Sequence, residues 1–449
     1  MKLDFVLLAA GKGQRMLGNS PKVILPLAGK PMAQHLIDTI NKIKGSRTIA
    51  VIGHQAEKVK NTLVVPRTAK WVRQSKQLGT GHAVKIASSH LRPGSITVVL
   101  YGDVPLVRPK TLKKLIKLAS DDSLSILTFL KQDPKGYGRI IRSSKNKVEE
   151  IVEEKDASFQ QRKIKEVNSG ILAIKSLHLK KLLPKIKNKN VAKEFYLTDL
   201  VSLAMGEGLK IKPFLLENPD EVLGANTGGE LNELERVCQN FLAMEIVESG
   251  ARVADLKRID IRGSLKTGKN TFIDVNCVFE GDVILAQDVK VEPNCYIKDS
   301  VIGKGSILKA NTYIEDSKIG SNCSLGPFAR VRGGTELEDF SELGNFVEAN
   351  RSKVGKSSKA KHLSYLGDAS LGSKVNVGAG TITCNYDGKN KHKTKLDDGA
   401  FIGSNSSLVA PVKVGKGSYT GAGSVITKNV PPGNLAIGRS KQSNIKRKK

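Results

Sequence analysis

Apolar and polar residues alternate along the first half of the chain in a pattern typical of α/β proteins. Three apolar runs, at residues 5–10, 48–52 and 95–100, have the length of buried strands. The stretches 32–43 and 83–89, which lie between these runs, are amphipathic at helical spacing. Continuous apolar strands separated by helices predict a largely parallel sheet covered on both faces. Ligands of such sheets bind at the carboxyl ends of the strands.

From about residue 251 the pattern changes to an apolar residue at every sixth position. Period six fits neither a helix nor one long strand. It predicts a β-helix in which three short strands form a coil of 18 residues, the separation of Cys277 and Cys295, which should therefore stack on neighbouring coils. Interruptions at 344–365 and 380–400 predict loops that leave the coils. The periodic positions are Ile273, Phe279, Leu285, Val291, Ile297, Ile302, Leu308, Ile314, Ile319, Leu325, Val331, Leu337, Leu343, Ile402, Leu408 and Val414.

A single helix is predicted between these two regions. Leu231, Leu234 and Phe241 fall at helical spacing, and Gly250 is a plausible stop. We therefore divide the chain into a first domain at 1–227, a linker helix at 228–250 and a β-helix domain with a basic tail at 251–449.

Composition indicates a soluble globular protein. The chain has 449 residues, of which 39% are hydrophobic and 26% charged, and no segment approaches the ~20 apolar residues of a membrane span. Its first residues are too short an apolar run, and too acidic, for a signal peptide, so we expect a cytoplasmic protein without membrane insertion. The five cysteines show no CxxC pair, which supports neither a zinc site nor a disulfide framework.

The net charge of +30 would attract polyanions, but the basic residues are dispersed except for the last four. Dispersed lysine usually marks a solvated surface. No nucleic-acid recognition motif accompanies the charge, so we expect no specific nucleic-acid partner.

Three loops of the first domain carry candidate chemistry. The glycine-rich turn at 8–16 is not a Walker A loop, yet its backbone N–H groups and Arg15 and Lys22 can meet phosphate; an ordinary strand–helix turn is the alternative. Asp103 ends the third apolar run and is suited to hold Mg²⁺, or else it only caps a turn. A second glycine turn at 77–83 precedes a helix and can contact a base or phosphate.

Together these motifs identify a family. AAGKG at 9–13, SPKV at 20–23, QLGTGHA at 77–83, YGDVPL at 101–106, GYGRI at 136–140, VE at 152–153 and NSGI at 168–171 are followed by hexapeptide repeats. The first half resembles the sugar-nucleotide pyrophosphorylases. Nearly the whole chain resembles the bacterial bifunctional N-acetylglucosamine-1-phosphate uridyltransferase/glucosamine-1-phosphate acetyltransferase (GlmU) family, which implies a Rossmann-like nucleotidyltransferase domain, a linker helix and a left-handed parallel β-helix.

The resemblance implies two activities for cell-envelope synthesis. Acetyl-CoA would acetylate glucosamine-1-phosphate, and UTP with Mg²⁺ would convert N-acetylglucosamine-1-phosphate to UDP-N-acetylglucosamine and pyrophosphate. For the second reaction it implies Arg15 and Lys22 at the triphosphate and Mg²⁺ between Asp103 and Asn226. It further implies a uridine site at Leu8, Ala10, Gly11, Gln74, Gly79 and Thr80, and a sugar site at Tyr101, Gly138, Glu153 and Asn168.

For acetyl transfer, the resemblance implies His362 as general base with Glu348 nearby. It implies homotrimers with sites between subunits. The amino-sugar phosphate would contact Arg332, Tyr365, Asn376, Asn385 and Tyr386, and acetyl-CoA would lie along Ala379, Ser404, Ala422 and Arg439.

The chain departs from the family at Gln14, where threonine is usual, and at Asn350, where a lysine usually binds the sugar phosphate. Arg351 is adjacent, but neighbouring residues on a strand point to opposite faces, so it need not substitute. We expect weakened glucosamine-1-phosphate binding with the chemistry retained.

Two other interpretations remain open from the sequence. One is a nucleotidyltransferase whose β-helix only oligomerises or regulates, although His362, Asn385 and Tyr386 argue against it. The other is a basic scaffold that binds nucleic acid, which the net charge supports.

Overall fold

The computed structural model describes residues 1–11 and 20–447. The chain divides into two compact units, Met1–Cys238 and Gln239–Lys449. The division falls within the helix Gly228–Glu248, which is followed by Gly250 with a φ of 101°. The division into three parts drawn from the sequence stays a prediction.

The first unit is an α/β domain around one main sheet. Its strands are β1 Leu3–Ala9, β2 Pro26–Leu27, β3 Lys30–Pro31, β4 Ser46–Ile52, β5 Lys70–Arg73, β6 Ile96–Tyr101, β7 Ser123–Leu130, β8 Arg139–Arg142, β9 Val148–Val152, β10 Glu166–Lys175 and β11 Lys210–Leu215. Its α-helices are α1 Met32–Asn41, α2 Ala56–Thr62, α3 Thr80–Ala87, α4 Pro109–Leu118, α5 Ser176–Leu182 and α6 Leu200–Gly206, and α7 Gly228–Glu248 begins in it. The main sheet runs β11-β7-β10-β6-β1-β4-β5, with β8 and β9 attached beside β10.

The three apolar runs of the sequence are the strands β1, β4 and β6, which pair in parallel at the centre of this sheet. The predicted parallel core is thus confirmed, but β10 runs antiparallel to both β6 and β7. The chain reaches β10 through the hairpin of β8 and β9 and not through a crossover helix, so it can enter the sheet in the opposite direction.

Side chains of β1 alternate between two hydrophobic clusters, one on each side of the sheet. Phe5 and Leu7 pack with α1 residues such as Leu36, whereas Val6 packs with α3 residues such as Val84. The sheet is therefore covered on both faces, as its uninterrupted apolar strands predict.

The second unit is a parallel β-helix. We call one of its faces face A; it consists of Arg252–Val253, Phe272–Ile273, Lys290–Val291, Ile307–Leu308, Ser324–Leu325, Glu342–Asn345, Lys359–His362, Asn376–Val377, Phe401–Ile402, Tyr419–Thr420 and Leu435–Ala436. The other faces consist of Ile259–Thr267, Cys277–Leu285, Tyr296–Lys298, Val301–Ile302, Tyr313–Glu315, Lys318–Ile319, Arg330–Arg332, Glu336–Leu337, Glu348–Asn350, Lys353–Val354, Tyr365–Gly367, Ala369–Leu371, Ile382–Cys384, Thr394–Leu396, Ser407–Val409, Val412–Val414 and Val425–Ile426.

All the period-six positions predicted from the sequence point into the β-helix and are buried. Cys277 and Cys295 stack on neighbouring coils, as predicted, and the five cysteines are free thiols. Coil length varies, however. Phe272 pairs with Lys290, 18 residues on, whereas Lys290 pairs with Ile307 after only 17.

The predicted excursion at 344–365 is wrong, because the coils continue through it. The interior there is filled by Ala349, Val354, Ala360 and Leu366. Val354 follows Ala349 after five positions, whereas the usual spacing is six. One residue fewer at a corner shifts the sequence period without interrupting the stack. The second predicted excursion, at 380–400, is confirmed only over 385–393, which forms a loop between the stacked strands Ile382–Cys384 and Thr394–Leu396.

Across the described residues, none of the helices combines the length and the apolar character needed to span a lipid bilayer.

The burial of the period-six residues predicts that substitutions of two adjacent residues differ sharply in the stability they remove. Ile302 is fully buried, whereas Val301 beside it is 42% exposed. We expect Ile302→Ala to destabilise the second unit by about 2–5 kcal/mol, because it leaves a cavity among fixed coils. Val301→Ala should cost about 0.5 kcal/mol. Thermal and urea unfolding of both variants measures this, and equal losses would contradict an interior filled by the period-six residues.

Candidate active sites

A cleft of about 610 Å³ opens where β1 and β6 end. Leu8 is the register partner of Tyr101, and the Gly102 N–H donates to the Leu8 carbonyl at 2.9 Å. This pairing places the loops that follow the two strands side by side. The predicted uridine-site residues all line the cleft: Leu8, Ala10, Gly11, Gln74, Gly79 and Thr80.

The ammonium of Lys22 lies between the two residues expected to hold Mg²⁺. Its Nζ is 2.5 Å from Asp103 Oδ2 and 2.8 Å from Asn226 Oδ1. The side chain of Lys22 is only 9% exposed and that of Asp103 30%, so solvent screens this pair less than a surface pair. The two oxygens converge on one position suited to a cation. Arg15, the other residue predicted at the triphosphate, and Gln14 lie outside the described residues.

The second glycine turn is held against the segment at 195–197. A Cβ on Gly79, whose φ is 108°, would lie 2.6 Å from the Phe195 carbonyl oxygen, so the turn requires glycine there. Gly81 donates its N–H to the same oxygen at 2.8 Å. The Gln74 amide donates to the Gly79 carbonyl at 3.2 Å, and Thr80 Oγ1 accepts from the Leu197 N–H at 3.1 Å.

The four predicted sugar-site residues lie close together. Burial, and then the charge of Glu153, raises the pKa of Tyr101. Burial also raises the pKa of Glu153, and a 3.0 Å hydrogen bond from Thr198 opposes this shift. Gly138 packs against Glu153, and its carbonyl accepts from the Asn168 N–H at 2.9 Å. A phenol and a shielded carboxylate are suited to hydrogen-bond sugar hydroxyls.

In the second unit, Arg332, Glu348, Asn350 and Tyr365 share one face of consecutive coils. Asn350 is the register partner of Arg332, and Tyr365 is the partner of Glu348. Glu348 Oε1 accepts from Nε and Nη2 of Arg332 at 2.9 and 2.7 Å. These residues therefore form one polar patch in which the arginine is already paired.

Arg351 turns back toward Asn350. The strand ends at Asn350, and Arg351 has a φ of 51°, so the alternation of side chains along a strand does not apply to it. Its Nη1 donates to Asn350 Oδ1 at 3.2 Å. The sequence argument that strand alternation turns Arg351 away from the position of Asn350 is therefore wrong. Its guanidinium is nevertheless bound to both oxygens of Asp368, at 2.8 and 2.9 Å, which compensates its charge.

His362 ends a strand of face A and is exposed. Its Nδ1 is 2.8 Å from Oδ1 of Asn345, its register partner on the preceding coil. Glu348, the residue expected near it, has its carboxylate hydrogen-bonded to Arg332, and its N–H donates to the carbonyl of Ser364 at 2.9 Å. Asn376 lies one coil further along face A, as the neighbour of Lys359.

Asn385 donates to Asp368 Oδ2 at 2.5 Å, which joins it to the ion pair of Arg351. Tyr386 is 60% exposed in the loop at 385–393, and its hydroxyl donates to the Gly388 carbonyl at 2.6 Å.

The residues predicted to bind coenzyme A form a column along one corner of the β-helix. Ala379 O accepts from the Asn405 N–H, adjacent to Ser404, at 2.7 Å. Ser404 O accepts from the Gly423 N–H, adjacent to Ala422, at 2.8 Å. Arg439 Nη1 donates to the Ala422 carbonyl at 2.8 Å. Regular stacking thus aligns four positions that are far apart in the sequence.

Family models match both units. The MobA-like NTP transferase domain matches residues 5–160, the GMPPB C-terminal domain 261–385 and the bacterial transferase hexapeptide (six repeats) 393–428. The bifunctional protein GlmU of Cellvibrio japonicus is 48% identical over 446 residues, which covers 99% of this chain and 98% of the relative. The bifunctional protein GlmU of Marinobacter nauticus is 49% identical over 443 residues, or 99% and 97% of the two chains.

This chain belongs to the GlmU family. It is a bifunctional transferase, with a nucleotidyltransferase domain in the first unit and a hexapeptide-repeat transferase domain in the second, which fit uridyltransferase and acetyltransferase activities. GlmU membership favours this interpretation over a purely structural β-helix and over a nucleic-acid scaffold.

Sequence reasoning missed several polar residues of these GlmU sites. Gln77 and Glu194 line the first cleft, and Thr198 holds Glu153. Gln77 begins the QLGTGHA motif, which was a usable signal, whereas Glu194 and Thr198 follow no motif. Asn345 lies one coil of 17 residues before His362, and Asp368 lies one such coil after Arg351. A coil length of 17 would have predicted both contacts.

The position of Lys22 in the first cleft predicts that its substitution lowers only one of the two GlmU activities. We expect Lys22→Met to lower uridyltransferase kcat/KM by about 100-fold or more, because the cleft loses its buried cation for phosphate. Acetyltransferase activity should stay unchanged. Lys30→Met is the matched control, since its ammonium pairs with Asp38 at 3.4 Å on the surface. Steady-state assays of both activities measure this, and an unchanged uridyltransferase in Lys22→Met would refute the assignment.

Proposed function

We propose that this GlmU-family enzyme makes UDP-N-acetylglucosamine in two reactions. The second unit acetylates glucosamine-1-phosphate with acetyl-CoA, and the first unit couples the product to UTP with release of pyrophosphate. The observation that carries the proposal is that one chain has both the polar cleft at the end of β1 and β6 and the His362 site. The chain is also similar to bifunctional relatives over 99% of its length.

In acetyl transfer, the amino group of glucosamine-1-phosphate attacks the thioester carbonyl. A C–N bond forms, the C–S bond breaks, and coenzyme A leaves as the thiol, whose sulfur ends with the proton that the amine loses. His362 takes the proton that the amine must lose, since imidazole titrates near neutral pH. Arg332 would meet the sugar phosphate by exchanging part of its pairing with Glu348.

Backbone N–H groups beside the coenzyme A column, at Ser404 above all, would stabilise the oxyanion of the tetrahedral intermediate. The regular alignment of Ala379, Ser404, Ala422 and Arg439 supports this placement.

In uridyl transfer, a phosphate oxygen of N-acetylglucosamine-1-phosphate attacks the α-phosphorus of UTP. A P–O bond forms, the bond to the β-phosphate breaks, and pyrophosphate leaves. Such transfers depend on positioning and charge neutralisation more than on covalent help from the protein. Lys22 supplies a positive charge at the cleft, and the glycine turns at Gly11 and Gly79 allow the backbone to approach the nucleotide closely.

Asp103 Oδ2 and Asn226 Oδ1 would hold Mg²⁺. A carboxylate and an amide oxygen are suitable ligands, and Mg²⁺ commonly takes only one or two protein ligands, with water and phosphate completing its shell. Within residues 1–11 and 20–447, no group of three or more His, Cys, Asp and Glu side chains could hold a metal, so a site dependent on substrate phosphate fits best. Bound there, Mg²⁺ would neutralise charge on the phosphates.

We further propose a cytoplasmic homotrimer with acetyltransferase sites between subunits. Face A presents exposed apolar side chains, among them Phe401, Tyr419 and Leu435, and the first two rings stack at 5.3 Å. Such a stripe is typical of an interface. Free thiols fit a reducing compartment.

His362→Ala tests the second activity. We expect release of the coenzyme A thiol, which in the wild-type protein depends on glucosamine-1-phosphate, to fall by about 100-fold or more because the amine loses its base. Pyrophosphate production from UTP and N-acetylglucosamine-1-phosphate should persist and reports that the first unit is folded, and an unchanged thermal unfolding transition reports the same for the β-helix. A wild-type protein that makes pyrophosphate but releases no thiol would leave a uridyltransferase on a structural β-helix.

Asn350→Lys tests the departure from the family. Arg351 is compensated by Asp368, so an unpaired ammonium at position 350 should strengthen phosphate binding. We expect KM for glucosamine-1-phosphate to fall about tenfold, the equivalent of one charge-assisted hydrogen bond, with kcat nearly unchanged. Asn350→Gln, which adds length without charge, is the control. A KM that stays constant or rises in Asn350→Lys would count against weakened binding in the native protein.

A further inference from the structure

The imidazole of His362 has a neutral hydrogen-bond partner. Its Nδ1 lies 2.8 Å from Oδ1 of Asn345, which is half-buried, while the imidazole itself is exposed. An amide oxygen can only accept a hydrogen bond, so Nδ1 carries the proton and donates it. The lone pair of the neutral ring is then on Nε2.

The β-helix fixes this contact through the main chain. Asn345 and His362 are register partners on consecutive coils, and the Leu363 N–H donates to the Asn345 carbonyl at 3.0 Å. The backbones are so close that a Cβ on Gly344 would lie 1.9 Å from the Lys361 carbonyl oxygen. The His362 carbonyl accepts from Ser364 Oγ at 2.9 Å. Both ends of the contact are therefore set by strand pairing.

Two of the charged groups that line the cleft around the imidazole, Glu342 and Lys361, are paired with each other. Lys309, Glu342 and Lys361 line the same cleft of about 240 Å³ as Asn345 and His362. Glu342 is paired with Lys359 at 3.1 Å and Lys361 at 2.9 Å, and these ammonium groups lower its pKa.

On the adjacent face, Glu348 is hydrogen-bonded to Arg332. The direct polar partner of the imidazole is thus an uncharged amide and not a carboxylate.

We propose that Asn345 is the positioning residue of acetyl transfer, which holds His362 in the Nδ1–H tautomer with Nε2 directed at the substrate amine. This inference rests on the proposed acetyltransferase function. When Nε2 takes the amine proton, the ring becomes an imidazolium with a proton on each nitrogen, and Asn345 Oδ1 still accepts the one on Nδ1.

An amide suits this role better than a carboxylate would. A carboxylate beside imidazole stabilises the charged form and raises its pKa, so less of the free base is present near neutral pH. An amide fixes the tautomer with a smaller effect on the pKa. Asn345 therefore orients His362 without placing a second charge beside it.

Two substitutions of Asn345 test the proposal through opposite shifts in pH dependence. Asn345→Leu removes the acceptor, so kcat for acetyl transfer should fall about 10- to 100-fold, a part of what a general base contributes, with KM changed less than about threefold. The acid limb of kcat/KM should move to lower pH, since the imidazolium loses an acceptor. Asn345→Asp keeps the acceptor and adds charge, so the limb should move to higher pH while the plateau rate stays within about threefold of wild type.

The substrate's own ionisations are common to all variants, so differences between the limbs report on the enzyme. Glu336→Gln is the matched control, since Glu336 lies on the preceding strand, pairs with Lys318 at the surface and is not one of the residues that line the cleft. Uridyltransferase activity checks the first unit of every variant, and thermal unfolding checks the β-helix. Equal losses in Asn345→Leu and Asn345→Asp, with no movement of the limb, would show a structural role only and overturn the proposal.

Nitrogen-15 NMR of histidine-labelled protein gives a readout without turnover, with the His362 signals identified by their loss in His362→Ala. We expect the Nδ1–H tautomer in the wild type and a shift toward Nε2–H in Asn345→Leu. A wild-type Nε2–H tautomer overturns the proposal even if acetyl transfer is confirmed. Absence of thiol release by the wild type would instead refute the proposed function, while the NMR result would still decide the tautomer.

Discussion

Backbone hydrogen bonds between parallel strands position the candidate residues in both units. In the first unit, Leu8 is paired with Val51 on one side and Tyr101 on the other, so the loops that follow β1 and β6 meet at one edge. In the second, the same kind of pairing sets Asn345 beside His362 and Asn350 beside Arg332. A slip of one residue would turn every side chain of a strand to the opposite face, so buried cores on both sides hold the register and, through it, the sites.

Both sites contain cations that are already paired with carboxylates. Lys22 binds Asp103, Arg332 binds Glu348, and Arg351 binds Asp368. Such pairs hold long side chains in place before substrate arrives, which reduces the conformational entropy lost on binding. An anionic substrate then exchanges partners with the carboxylate and need not immobilise a free side chain. The large net charge of the chain would attract such anions, and the positions proposed to bind them are those of these few pairs.

His362, the base proposed for acetyl transfer, differs from these cations because its partner is the uncharged Asn345. A general base must be neutral at the working pH, whereas a phosphate-binding group must be charged. The β-helix supplies a neutral partner for the base and charged groups for phosphate within a few coils, because the side chains on different faces of a coil can differ independently.

The sequence by itself determined the alternation of strands and helices, the β-helix with its interior residues, and the loops at Gly11, Gly79 and Asp103. These features depend on local patterns of burial and turn formation, which neighbouring residues encode. The matching motifs also indicated the family and, through it, ten of the fourteen residues that line the first cleft.

Only the tertiary structure decided the contacts that give these residues their roles. Lys22 contacts Asp103 and Asn226, which are 81 and 204 residues away in the sequence, and no local pattern predicts these contacts. A coil of 17 residues aligned Asn345 with His362, and a left-handed backbone turned Arg351 toward Asn350 against the alternation rule. Such contacts depend on coil length and backbone conformation at corners, which packing of the whole unit sets and which hydrophobic periodicity alone does not specify.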